Sequence, residues 1–119
     1  EKVRLKDATK QVSSFGSFIH ALHTENYKLI GGSLNDYLVE KHRKKLIPLF
    51  DEIKGIALKN SALGCSISGS GPSVFALTKG IEKANEINVL VSKLYKTSGY
   101  DFSTYVSKIS EKGVRTLSI

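Results

Sequence analysis

The sequence predicts an α+β fold, with helices packed on one face of an antiparallel sheet. Three observations carry that prediction. Apolar residues recur every three or four positions through several long stretches, the period of a helix with one buried face. A short apolar run, a glycine-serine loop and a second apolar run follow one another between residues 64 and 78. Near the C-terminus, residues 105–109 alternate in the period of two expected of a strand. The predicted order is helix, helix, helix, strand, strand, helix, strand, strand. There is no internal repeat and no linker long enough to divide it, so residues 1–119 read as one domain.

Leu5, Ala8, Val12, Phe15, Ile19 and Leu22 place a first helix at the start, with these residues on its buried face. Gly16 and Ser17 lie inside it and leave room for a close neighbour. Thr24 is the expected N-cap of a second helix, whose face is Tyr27, Ile30, Leu34 and Tyr37 or Leu38. Gly31 and Gly32 lower its intrinsic stability by about 1 kcal/mol each relative to alanine, so packing has to compensate. Pro48 suits the first turn of a third helix, with Asp51 and Glu52 near its positive end and Phe50, Ile53 and Ala57 facing the core. Asn60 and Gly64 end that helix. The first strand follows at 65–68 and the second at 73–78. Ala84, Ile87, Val91 and Leu94 mark a fourth helix, closed by Gly99. Tyr105 to Ile109 form a third strand, and Glu111-Lys112-Gly113 turn the chain into a last one, Val114 to Ile119.

Composition narrows the function classes. Forty per cent of residues are hydrophobic, too many for a disordered chain. No stretch approaches the roughly 20 apolar residues of a membrane span, and no signal peptide opens the chain. A single cysteine excludes an internal disulfide framework and fits a cytoplasmic protein. Cys65, in the strand before the loop, is expected to pack as a small hydrophobe. The net charge of +7 suits an anionic partner without naming one. The densest basic cluster, Lys41 to Lys45, lacks the interleaved aromatics of a nucleic-acid surface, so neither nucleic acid nor a membrane is expected as a partner. His20, His23 and His42 form no metal set, and no serine, histidine and aspartate have a spacing that suggests a catalytic triad.

The loop Ser68-Gly69-Ser70-Gly71-Pro72-Ser73 is the strongest chemical signal. Glycines admit unusual backbone angles and close approach, and Pro72 sets the exit direction. Free N–H groups and the hydroxyls of Ser68, Ser70 and Ser73 then have the means to converge on an anion. For an isolated Gly-Ser-Gly, a tight hairpin turn explains as much. The whole string from Gly64 to Leu77 does more: it resembles the third motif of the GHMP kinases, Gly-small-x-aliphatic-Ser-Gly-(Ala/Ser)-Gly-Pro-(Ser/Thr) followed by an apolar strand. Upstream, Glu40 to Phe50 resembles the homoserine kinase segment in which an arginine precedes Leu-(Ile/Leu)-Pro and a helix. With Val106 to Ile109 and Gly113 to Leu117, the likeness to that family spans residues 5 to 119.

The resemblance implies the ferredoxin-like C-terminal domain of a GHMP kinase, and an activity that moves the γ-phosphoryl group of ATP to the side-chain hydroxyl of L-homoserine in threonine biosynthesis. Arg43 matches the family arginine that grips the amino acid's carboxylate, a task suited to a planar fork of donors. The alternative for Arg43 is a surface ion pair with Asp51 or Glu52. Where the family has a proline two residues earlier, this chain has Lys41. A second family arginine maps to Lys108, or one residue away to Ser107, with Arg115 a poorer substitute. The glycine loop is expected to line the interdomain cleft and support a phosphate-binding loop elsewhere. No residue of this chain is expected to act as a catalytic base or to hold a metal.

Two family features are missing from the sequence. The ATP-phosphate motif of the family's N-terminal half has no counterpart, and a strand normally placed before the first helix is absent. There is also no methionine. The expectation is therefore a C-terminal fragment, inactive alone, whose ATP and Mg²⁺ are bound mainly by the absent half. An unpaired sheet edge would follow, and a homodimer is left open. Two alternatives stand beside this one: another GHMP kinase, of mevalonate type, or a non-catalytic, basic ferredoxin-like module that binds a small regulatory ligand or RNA across its sheet, with Phe75, Tyr100, Phe102 and Tyr105 as the candidates for base stacking.

Overall fold

A computed structural model describes residues 2–116. Helix α1 spans Leu5–His23, α2 Tyr27–Ser33, α3 Glu40–Arg43, α4 Phe50–Lys59 and α5 Ile81–Lys96. A single 3-10 turn, Lys44–Leu46, continues α3. Strands β1 (Ala62–Ile67) and β2 (Val74–Thr78) pair antiparallel, with Ile67 opposite Val74 and Cys65 opposite Ala76. The fold is α+β, as the pattern predicts.

The core forms where α4 and α5 cover the sheet. Ile53 and Ala57 of α4, Cys65 of β1 and Ile87 of α5 are buried together, and Val74, Val91, Leu94 and Tyr95 pack against them. Side chains alternate along a strand. Cys65 therefore turns toward that core, while Gly64 and Ser66 turn the other way, toward Leu34 and Glu40. That alternation is what brings α3 to the strand.

Several boundaries differ from the sequence expectation for identifiable reasons. Asn26, not Thr24, caps α2: its side chain accepts from the Leu29 N–H at 3.0 Å. Leu34, Tyr37 and Leu38 fall beyond the helix, which stops at Ser33. The first helix is present, but the face is not the expected one. Val12 is 72% exposed and Phe15 67%, while Ala21 is the buried residue. Helix α1 packs against α2 and meets residues 37–41 through Asp7, Lys10 and Gln11, while Val12 and Phe15 of its apolar stripe stay exposed. Gly16 likewise has no close neighbour.

The third expected strand is the clearest correction. Residues 101–109 form no strand, and 114–116 do not either; the rest of the last expected strand, 117–119, lies outside the described residues. Alternation supplies two faces but not a partner, and a strand exists only where a ladder satisfies its backbone groups. Residues 2–4 enter α1 without strand pairing. The result is a wide groove of about 1050 Å³ between β2, α5 and residues 100–109.

Candidate functional site: an arginine cleft beside the glycine loop

The site is built from the ends of short elements. Asp36 starts it: its carboxylate accepts from the backbone N–H groups of Leu38 and Val39 at 2.8 Å and of Glu40 at 3.0 Å. These bonds satisfy the donors that a helix start leaves unpaired. They set the first turn of α3, and Arg43 ends that helix.

Arg43 reaches across to the glycine loop. Its Nη1 donates to the Ser70 carbonyl at 2.6 Å. The surface ion pair considered for it goes to its neighbour instead: Lys44 Nζ lies 2.9 Å from both carboxylate oxygens of Asp51. One guanidinium donor is spent on the loop, leaving four of the five for another acceptor. Arg43, Leu46, Ile47, Ser70, Gly71 and Pro72 line a cleft of about 330 Å³.

The loop itself is a tight turn closed by Ser68 N–H to the Ser73 carbonyl at 2.8 Å and Gly71 N–H to the Ser68 carbonyl at 3.1 Å. Gly71 has φ +79°, and a Cβ there would stand 3.3 Å from both Ile47 and Ile67, so glycine is required on two counts. Among the described residues, the Gly69, Ser70 and Ser73 N–H groups have no hydrogen-bond partner, and Gly69 and Ser70 stand together at the tip of the loop. Those two amides are the donors available to an anion. On the other side, Tyr95 of α5 donates its hydroxyl to the Pro48 carbonyl at 2.7 Å, next to Ile47 in the cleft wall.

Lys108 is not in this cleft. It lines the neighbouring groove with Val74, Phe75 and Tyr105, and the two cavities share Ile47 and Pro72 as a common wall. Phe75, Tyr100 and Phe102 border the same groove, where the Phe102 ring lies 5.2 Å from that of Tyr95. The aromatic residues considered for base stacking thus cluster along one groove rather than across an open sheet.

Sequence reasoning missed Glu40. Both of its carboxylate oxygens are engaged, one by Lys54 Nζ at 2.5 Å and the other by Ser66 Oγ at 2.7 Å. Standing at the head of a basic run, it reads as one more solvated charge. The available signal was its place four residues after Asp36, at a helix start. Burial raises the thiol of the adjacent Cys65 to about 11; the Lys54 ammonium offsets this in part, and the Glu40 carboxylate adds to it.

Comparison with known proteins places this geometry. The family model described as GHMP kinases C terminal matches residues 18–97. A homoserine kinase from Chlorobium phaeovibrioides is 41% identical over 117 residues, covering 97% of this chain and 37% of its own length. One from Pyrococcus horikoshii is 36% identical over 114 residues, covering 96% of this chain and 38% of its own length. The crystal structure of homoserine kinase from Cytophaga hutchinsonii superposes with a TM-score of 0.87 at 39% identity, covering 92% of this chain and 35% of that one. The chain thus spans little more than a third of the length of these relatives. With both arginine cleft and glycine loop inside the matched region, the chain belongs to the GHMP kinase C-terminal family.

Proposed function

We propose that this chain is the C-terminal domain of a homoserine kinase, which transfers the γ-phosphoryl group of ATP to the side-chain hydroxyl of L-homoserine. The observation that carries the proposal is the Arg43 guanidinium, fixed to the Ser70 carbonyl at the mouth of a small cleft with most of its donors free. A planar fork held in this way suits a carboxylate, which it binds through two parallel hydrogen bonds. Relatives that are homoserine kinases supply the substrate, and the cleft supplies a group able to hold its amino-acid end.

Phosphoryl transfer asks the protein mainly for positioning and charge stabilisation. In the proposal, Arg43 orients homoserine through its carboxylate. The glycine loop, with the Gly69 and Ser70 amides, backs the phosphate-binding segment of the other half. Lys108 would add charge across the shared wall, as a point charge rather than a fork. Among the described residues, no three His, Cys, Asp or Glu side chains come together to hold a divalent cation. In the proposal, Mg²⁺ and the nucleotide are held mainly by the other half of the protein. No helix among the described residues is long and apolar enough to cross a membrane.

The test is ADP release by the full-length protein with L-homoserine, mevalonate or galactose, beside the 119-residue chain alone. Turnover with homoserine by the full-length protein, and none by the chain alone, is the expected result. Turnover with mevalonate instead would reassign the substrate. Turnover by the chain alone would overturn the division of labour between the halves.

A further inference from the structure

We infer that Glu40 is a positioning residue for Arg43, holding its guanidinium at the cleft by fastening α3 to the strand that leads into the glycine loop; this rests on the carboxylate-clamp role proposed above. Helix α3 has four residues, barely one turn, and a single turn has too few hydrogen bonds of its own to hold a fixed orientation. Its orientation must come from side-chain attachments.

Lys41 of this turn pairs with Asp7 of α1 at 3.4 Å, and two further attachments form rungs to the strand and loop. Glu40 and Arg43 are three apart on α3 and so share a face. Ser66 and Ser70 are four apart along β1 and the loop that follows. Ser66 Oγ donates to Glu40 at 2.7 Å, and Arg43 donates to the Ser70 carbonyl at 2.6 Å. The second Glu40 oxygen accepts from Lys54 Nζ of α4, which ties the same turn to the core helix. The Glu40 and Lys54 side chains are only 14% and 21% exposed, and Ser66 is buried. Glu40 does not line the cleft, so its carboxylate acts on substrate only through the position of Arg43.

The experiment compares Glu40→Ala, Glu40→Gln, Ser66→Ala, Arg43→Ala and the Glu40→Ala/Arg43→Ala double variant in the full-length protein. KM for L-homoserine, KM for ATP and kcat are read for each. Misplacement of a binding group by about an ångström costs on the order of a hundredfold at most, so Glu40→Ala is expected to raise the homoserine KM by about tenfold to a hundredfold, with the ATP KM unchanged. Glu40→Gln keeps an oxygen for Ser66 Oγ and is expected to recover most of that loss. The double variant is expected to bind homoserine no worse than Arg43→Ala alone, because the two changes remove one function. Multiplicative losses in the double variant, or equal rises in both KM values, would overturn the inference while leaving the clamp in place. If Arg43→Ala itself leaves the homoserine KM unchanged, the clamp role fails, and this inference with it. Should Glu40→Ala not fold, Ser66→Ala decides, since it breaks the rung and keeps the Glu40–Lys54 pair: an unchanged homoserine KM there overturns the inference.

Discussion

The corner formed by α3, β1 and the glycine loop contrasts with the segment from residue 97 to 116. In the corner, each polar group that comes off the surface has a partner. Asp36 caps α3, Glu40 is held by Lys54 and Ser66, and Arg43 is held by Ser70. The C-terminal segment carries three aromatic residues, Tyr100, Phe102 and Tyr105, where the corner has none, yet Tyr105 is 90% exposed and no strand forms. The difference lies in partners rather than composition. Directional bonds from neighbouring elements fix the corner, while the segment offers an alternating pattern to a groove in which no strand pairs with it.

That contrast predicts unequal costs of substitution. The largest is expected at Phe50, the first residue of α4, which is 2% exposed. Phe50→Ala should destabilise the chain by about 3–5 kcal/mol, through lost transfer energy and the cavity left behind. Equilibrium denaturation measures it, and a loss below about 1 kcal/mol would show that α4 is not packed as described. Gly31→Ala comes next. A Cβ there would stand 2.6 Å from the Leu63 carbonyl oxygen, a backbone atom that cannot swing aside. Overpacking of this kind costs about 1–3 kcal/mol, read as a lowered denaturation midpoint.

Cys65 sharpens the comparison through pH. Its thiol is raised from 9.0 to about 11, chiefly by burial, so the folded state keeps a proton that the unfolded state releases. The sign follows directly: the contribution is complete below about pH 9 and is lost as pH rises through about 11. Relative to Cys65→Ala, the unsubstituted chain should lose stability across that window and show no difference in slope below it. Equal slopes throughout would mean that the thiol is not shielded. The smallest effect belongs to the other region. Tyr105→Ala should change the stability of this chain by no more than about 0.5 kcal/mol, as for exposed positions generally. A loss near that of Phe50→Ala would erase the contrast altogether.

What was legible in the sequence divides along the same line. Periodicity located α1, α4 and α5, and the glycine-serine string located the β1–β2 hairpin within a few residues. These elements are specified by their own residues. The exposed stripe on α1 was not legible, because which face of a helix is covered depends on its neighbours. Tyr105 to Ile109 carry a genuine strand pattern, but the ladder needs a partner that the pattern does not contain. In the site, Arg43 and Ser68 to Ser73 could be found by resemblance, since each belongs to a contiguous motif. Glu40, Lys54 and Ser66 could not, because they meet only after three elements have packed.

The most direct test of the central claim compares L-homoserine with the amino alcohol that lacks only its carboxylate, in the full-length protein and in Arg43→Ala. Charge-assisted hydrogen bonds of this kind contribute about 1.5–3 kcal/mol, which corresponds to a preference of about tenfold to a hundredfold for the carboxylate-bearing substrate. The account predicts that the unsubstituted protein shows that preference in kcat/KM and that Arg43→Ala loses it, with little change toward the amino alcohol. A preference that survives intact in Arg43→Ala would contradict the account, because the carboxylate would then be held somewhere else.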